Sequence, residues 1–196
     1  VSSAVYGPLG AYIQIPFIVL SALVMFLDGS IGSIEDLKFT VLTHPGYFLF
    51  IPRLLSALFG TLLVIAIYKL SKELTGHKTI AFCASTLTAT SFVFVDISTV
   101  GRAWPEAMFF YVLATLFSIY AINSKLNRNR NVLLSFIFVS ISYGFHQVGI
   151  FAIFLIFMLF FLSGTLKKID KKLFLLSFMT CLLLILIFSF LSKSSN

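Results

Sequence analysis

The chain has 196 residues and a formal net charge of +7, with 59% hydrophobic and 11% charged residues. Soluble domains carry roughly 25% charged residues, so this chain is too poor in charge to cover a soluble surface unless nearly every helix were buried on all sides. The basic excess is divided among short links between apolar runs, which speaks against nucleic acid as a partner and matches the orientation signals of a membrane protein.

The first apolar run is Leu9 to Leu27, divided by Pro16 and carrying Gln14. A polar stretch from Asp28 to His44 follows, then a second run from Tyr47 to Leu70 that holds Pro52 and Arg53 near its start. The third run is 79–97. A short break holding Ser98, Arg102, Trp104, Pro105 and Glu106 leads to the fourth, 107–122. Runs at 132–143, 148–162 and 173–191 complete the chain. A bilayer core needs about 20 apolar residues of helix, and the alternation expected of barrel strands is absent. The expected fold is all-α, a multi-pass transmembrane helix bundle with about six spanning helices plus one juxtamembrane helix. Residues 1–46 form an outer juxtamembrane region and 47–193 the transmembrane helices. The run at 9–27 is long enough to span, yet its proline and glutamine also suit a helix lying along the interface. Cys83 and Cys181 sit inside apolar runs and read as small buried hydrophobes. The chain starts at Val1 and stops just after an apolar run, and we read it as a piece of a longer protein.

Orientation follows from lysine and arginine near the helix ends. The links at 69–78, 123–131 and 165–172 hold ten of the fourteen basic residues, leaving Lys38, Arg53, Arg102 and Lys193 for the other side. The three links are therefore expected in the cytoplasm. Five acids, Asp28, Glu35, Asp36, Asp96 and Glu106, then fall outside.

Candidate site residues cluster on that outer side: Tyr6-Gly7-Pro8-Leu9, His44 with Arg53, the stretch Gly101 to Glu106, and Phe145-His146-Gln147. Each has a plain structural reading. Prolines start helices, Arg53 snorkels, Arg102 and Glu106 pair at i, i+4, and Trp104 anchors at the interface. Their convergence points further. A charge such as Arg53 inside a spanning run costs ~2.5 kcal/mol or more, and usually faces a cavity or partner. Two guanidiniums, Arg53 and Arg102, suit a phosphate that they grip bidentately, and a lipid phosphate is the natural one at a membrane surface. Tyr6, His44, His146 and Glu106 complete the substrate-binding set. No metal-ligand motif, nucleotide loop or nucleophile elbow is present.

The segment Arg53-Leu54-Leu55-Ser56-Ala57-Leu58-Phe59-Gly60, running on to Tyr68-Lys69-Leu70, resembles a helix start in the dolichyl-phosphate-mannose–protein mannosyltransferase-like family. These are membrane glycosyltransferases of the GT-C fold. Ser98, Arg102 and Glu106 match the family's Ser-x-x-x-Arg-x-x-x-Glu/Asp spacing, and Tyr6-Gly7-Pro8-Leu9 resembles the segment closing its first outer loop. Phe145-His146-Gln147 resembles the place where members have Thr-Lys-Tyr. The likeness runs from about Tyr6 to Leu162. It implies a polyprenyl-phosphate-linked sugar as donor, membrane lipids as surroundings, and Arg53 and Arg102 stabilising the departing phosphate. It also favours a juxtamembrane helix for 9–27. Whether a divalent metal takes part is left open. The family's catalytic acid lies upstream of the Pro-Leu segment, so the catalytic residue is unknown and expected before Val1. Gly7 departs from the family pattern, and Asp28, Glu35 and Asp36 do not match the catalytic position. Two other classes stand against a transferase, a transporter or flippase and a non-catalytic scaffold. The runs at 107–122 and 173–191 are almost wholly apolar and no repeat is evident, which disfavours transport.

Overall fold

A computed structural model describes residues 8–44, 46–99, 101, 103–124 and 126–194. Among them are nine α-helices and no strand: α1 Pro8–Leu27, α2 Ile34–Thr43, α3 Gly46–Thr75, α4 Lys78–Thr90, α5 Phe92–Thr99, α6 Trp104–Asn123, α7 Arg128–Phe145, α8 Phe151–Leu162 and α9 Lys171–Ser194. The expected all-α, multi-pass helix bundle is present. Four helices, α1, α3, α6 and α9, are long and apolar enough to cross a membrane, and the bent pair α4–α5 makes a fifth. The difference from six spans has a simple cause. Helix α7 spends its first turn on Arg128, Asn129, Arg130 and Asn131. Helix α8, with the 3-10 turn before it, covers only 147–162, about 24 Å of a ~30 Å core.

The polar stretch after α1 contains a helix, α2, that composition concealed. Ser33 accepts from the Asp36 N–H at 3.1 Å, and Asp36 Oδ2 accepts from Ser33 Oγ and the Gly32 N–H. This is a reciprocal N-terminal cap. Asp28 likewise accepts the Ser30 N–H, and those bonds hold its carboxyl below the usual range. Asp28 and Asp36 therefore serve local turns.

Helices α6 and α7 form the centre, antiparallel across a short link. Aromatic rings fill the space beside them. Phe110 stacks on Phe145 at 5.7 Å and 7°, and Phe59 of α3 meets Phe109, Phe110 and Phe145. On the other flank Phe136 of α7 meets Phe157, Phe174 and Phe178 edge-on, the geometry that ring quadrupoles favour. Ala152, Ile156 and Phe160 bury one stripe of α8 at i, i+4 spacing.

All three basic links lie at one end. Arg128 donates from Nε to the Ala121 carbonyl (3.2 Å) and from Nη1 to the Lys168 carbonyl (3.4 Å), joining the second link to the third. Glu73 of the first link lies within electrostatic reach of Tyr120. The opposite end holds the starts of α3 and α6 and the ends of α5, α7 and α9, where Tyr143 and Ser189 hydroxyls bond at 2.7 Å.

Helix α1 docks only by its first turn. Pro8 and Gly10 are its buried residues, Leu9 packs on Gly144, and a Cβ at Gly10 would meet Ala103 Cβ at 3.1 Å. Its remaining apolar length is largely exposed, as suits a helix facing lipid. Pro16 does not end the helix. The third expected run is broken. Helices α4 and α5 meet at 58°, and Thr88 and Thr90 bond back to the Ala84 and Thr86 carbonyls just before the break. Such back-bonding loosens and bends a helix.

Candidate functional site

The end opposite the basic links gathers the polar groups. Helix α6 starts there because Pro105 fits its first turn and Glu106 places an acid near the positive end of the helix dipole. Glu106 is 3% exposed. Its Oε1 accepts from Ser56 Oγ of α3 at 3.1 Å, while Oε2 is buried with no hydrogen-bond partner. A buried carboxyl oxygen left in that state is costly to a fold and calls for an explanation.

Arg53 lies one turn before Ser56 on α3 and is exposed. The turn leading into α6 packs on it. Gly101 has φ +77°, and a Cβ there would come within 3.1 Å of both Arg53 N and Pro52 Cβ. Glycine is thus required for both the left-handed backbone and the close approach. Ser142 Oγ of α7 donates to the Ala107 carbonyl at 2.7 Å, which fixes the end of α7 beside the start of α6.

His146 follows α7 directly and is 2% exposed, so it lies inside this end. Its Nδ1 accepts from the Val148 N–H at 3.1 Å. Burial holds its pKa below the usual value, so the neutral ring carries its proton on Nε2. The ring stacks against Trp104 with centroids 4.1 Å apart, which ties it to the first residue of α6.

The sequence-predicted residues therefore fall into groups. Arg53, Glu106 and His146 reach one end of the bundle on the adjoining ends of α3, α6 and α7. His44 caps α2 on an exposed link just before α3. Tyr6 and Arg102 lie outside the described residues. Ser56 went unnoticed as a site residue, although its i+3 spacing from Arg53 on one helix carried the signal. Among the described residues no three His, Cys, Asp or Glu side chains come together to hold a metal ion, and no step below is routed through one.

Membrane-length apolar helices around a buried acid and an exposed arginine define a multi-pass membrane protein with a polar site at one bundle end. The family model described as dolichyl-phosphate-mannose-protein mannosyltransferase matches residues 48–190. The chain belongs to that family, and with it to the membrane glycosyltransferases. The match extends beyond Leu162 and excludes the Tyr6–Leu9 segment. No curated protein and no solved structure gives a significant match.

Proposed function

We propose that the protein moves a sugar from a polyprenyl-phosphate donor to an acceptor hydroxyl on the extracytoplasmic face of the cell membrane, with the GT-C architecture. One observation carries this beyond family membership: an exposed Arg53 stands one turn from the buried Ser56–Glu106 pair, at the end away from the basic links. In the transfer, the acceptor hydroxyl gives its proton to a general base, and its oxygen bonds to the anomeric carbon as the bond from that carbon to the phosphate oxygen breaks. The lipid phosphate leaves with the electron pair. Arg53, with Arg102, grips that phosphate and neutralises the charge it gains. Glu106 offers its unpartnered oxygen to a hydrogen-bond donor, either a substrate hydroxyl or a guanidinium. The catalytic base is not assigned to a residue of this chain.

Arg53→Ala and Arg102→Ala in the full-length protein should each lower kcat/KM for the lipid-phosphate donor roughly tenfold to a hundredfold, since a hydrogen bond to a charged group contributes about 1.5–3 kcal/mol. Arg102→Lys keeps the charge but loses the planar fork, and it should weaken donor use as well. Unchanged transfer in the double alanine variant refutes the shared phosphate site.

Sidedness has its own test. With Cys83 and Cys181 replaced by alanine, single cysteines at the exposed positions Thr99 and Leu126 should react with an impermeant maleimide from opposite faces of the membrane. Thr99 should label from outside. Labelling of both from one face sinks the topology.

A further inference from the structure

The end that carries the basic links holds ten cations against two acids, Glu73 and Asp170, and one oxygen of Asp170 accepts the Lys172 N–H at 2.9 Å. The second and third links form one surface there. Arg128 joins them through the Ala121 and Lys168 carbonyls. Thr165 and Ile169 are 2% and 5% exposed, which pins the third link against the bundle. Its four lysines, Lys167, Lys168, Lys171 and Lys172, are left exposed, as is Arg130 of the second link. The depth of this surface follows from α8. Because the two links meet, α7 leaves from the end to which α8 returns, and 147–162 recrosses with ~24 Å of helix where the core is ~30 Å. A short crossing is met by local thinning of the bilayer and by snorkelling of the flanking residues, so the third link's lysines stand level with lipid headgroups. Leu126, in the second link, is 95% exposed, and an apolar side chain beside cations suits that same layer.

We propose that this surface binds the headgroup of an anionic phospholipid in the leaflet it faces, with the lipid phosphate held by the third link's lysines and Arg130. The interaction is separate from sugar transfer and needs neither donor nor acceptor. Basic clusters beside a span attract anionic lipid, each cation adding to the attraction while it stays near the surface. Orientation alone accounts for a basic excess in every link. It does not call for four lysines on one ordered turn at headgroup depth. The first link has three lysines with Glu73 among them, a weaker attraction for an anion. A soluble acidic macromolecule is disfavoured, because it would have to displace headgroups that already stand at the level of the lysines.

The test uses the full-length protein in detergent, titrated with dioleoyl phosphatidylglycerol or dioleoyl phosphatidylcholine, with bound lipids counted by native mass spectrometry. The first phosphatidylglycerol should bind roughly tenfold tighter than phosphatidylcholine, a preference that high salt should shrink. Lys167→Gln, Lys168→Gln, Lys171→Gln and Lys172→Gln together should abolish the preference, and the matching fourfold change to arginine should keep it. Lys69→Gln, Lys72→Gln and Lys78→Gln together should leave most of it. An equal loss in that threefold variant overturns the proposal, because the attraction is then the diffuse charge of the whole end. A parent chain with no preference overturns it as well. A second measurement needs no variant. In phosphatidylcholine nanodiscs holding a phosphatidylglycerol with a diazirine on its headgroup, crosslinks in the parent chain should fall within 126–130 and 163–172, and label confined to other segments refutes the placement. Glycerophosphoglycerol, the headgroup without its acyl chains, should fail to displace the lipid at about tenfold excess, since it lacks the apolar part of the binding. Displacement would make the ligand a soluble phosphate ester and end the lipid reading.

Discussion

Gly149→Ala should remove most of the folded protein, although it adds one methyl group. The new Cβ would fall against the backbone of Ser142 and Tyr143, 2.6 Å from the Ser142 carbonyl carbon and 2.7 Å from Tyr143 Cα. Backbone atoms in a packed helix cannot rotate away. The 3-10 turn and the end of α7 must separate instead, or the turn must rebuild. Overpacking a well-filled site typically costs about 1–3 kcal/mol, occasionally more, and a backbone-on-backbone clash belongs at the top of that range. Gly144→Ala is the control. Its Cβ would meet the tip of Leu9 and the ring of Phe188, side chains that have somewhere to go, so its cost belongs near the bottom. Size-exclusion chromatography after graded heating in detergent separates the two. Gly149→Ala should lose its monodisperse peak well below the temperature at which Gly144→Ala does. Equal heat resistance of Gly149→Ala and the parent chain would show that the turn does not pack as described. Because the Gly149 N–H donates to the His146 carbonyl at 2.9 Å, the same change should disturb the His146–Trp104 stack.

Most helices were readable because lipid imposes one requirement, an unbroken apolar length. The run 107–122 became Trp104–Asn123, 132–143 became Arg128–Phe145, and 173–191 became Lys171–Ser194. The residual error lies at helix ends, where charged residues continue a helix beyond the hydrocarbon. Three features were hidden. The break at Ser91 follows two threonines whose hydroxyls bond back to their own helix, a feature that apolar counting does not register. Helix α2 lay under a polar composition, although Ser33 and Asp36 at i, i+3 marked its start. The site was half legible. Charge in an apolar context singled out Arg53, and the Arg102–Glu106 spacing suggested a pair within one segment. Arg102 lies outside the described residues, and the partner seen for Glu106 is Ser56, fifty residues earlier on α3. Such pairing depends on how two helices rotate about their axes, and neither helix's sequence states that.

Glu106→Gln should separate the structural role of this acid from its role toward substrate. The amide has nearly the same shape, and its carbonyl oxygen can still accept from Ser56 Oγ, the bond now made at 3.1 Å. Folding should therefore change by less than about 1 kcal/mol, the usual net worth of a single neutral hydrogen bond. What the amide loses is the acceptor at Oε2, the buried oxygen without a partner. If that oxygen receives a proton donor from substrate or from a guanidinium bound to it, transfer should fall about a hundredfold, since a charge-assisted bond of about 1.5–3 kcal/mol is replaced by a donor facing a donor. Glu106→Ala should lose both activity and heat resistance, because it also opens a cavity at a site that is 3% exposed. The pairing with Arg53 supplies the sharper criterion. Groups acting on one bound phosphoryl sugar couple, so Arg53→Ala and Glu106→Gln together should cost less than the sum of their separate losses. Groups serving unrelated ends should add. A glutamine variant that transfers at the parent rate but unfolds earlier would make Glu106 a packing residue and leave Arg53 alone at the site. Additive losses would keep both residues functional but place them on different parts of the substrate, with Arg53 on the phosphate and Glu106 on the sugar or its acceptor.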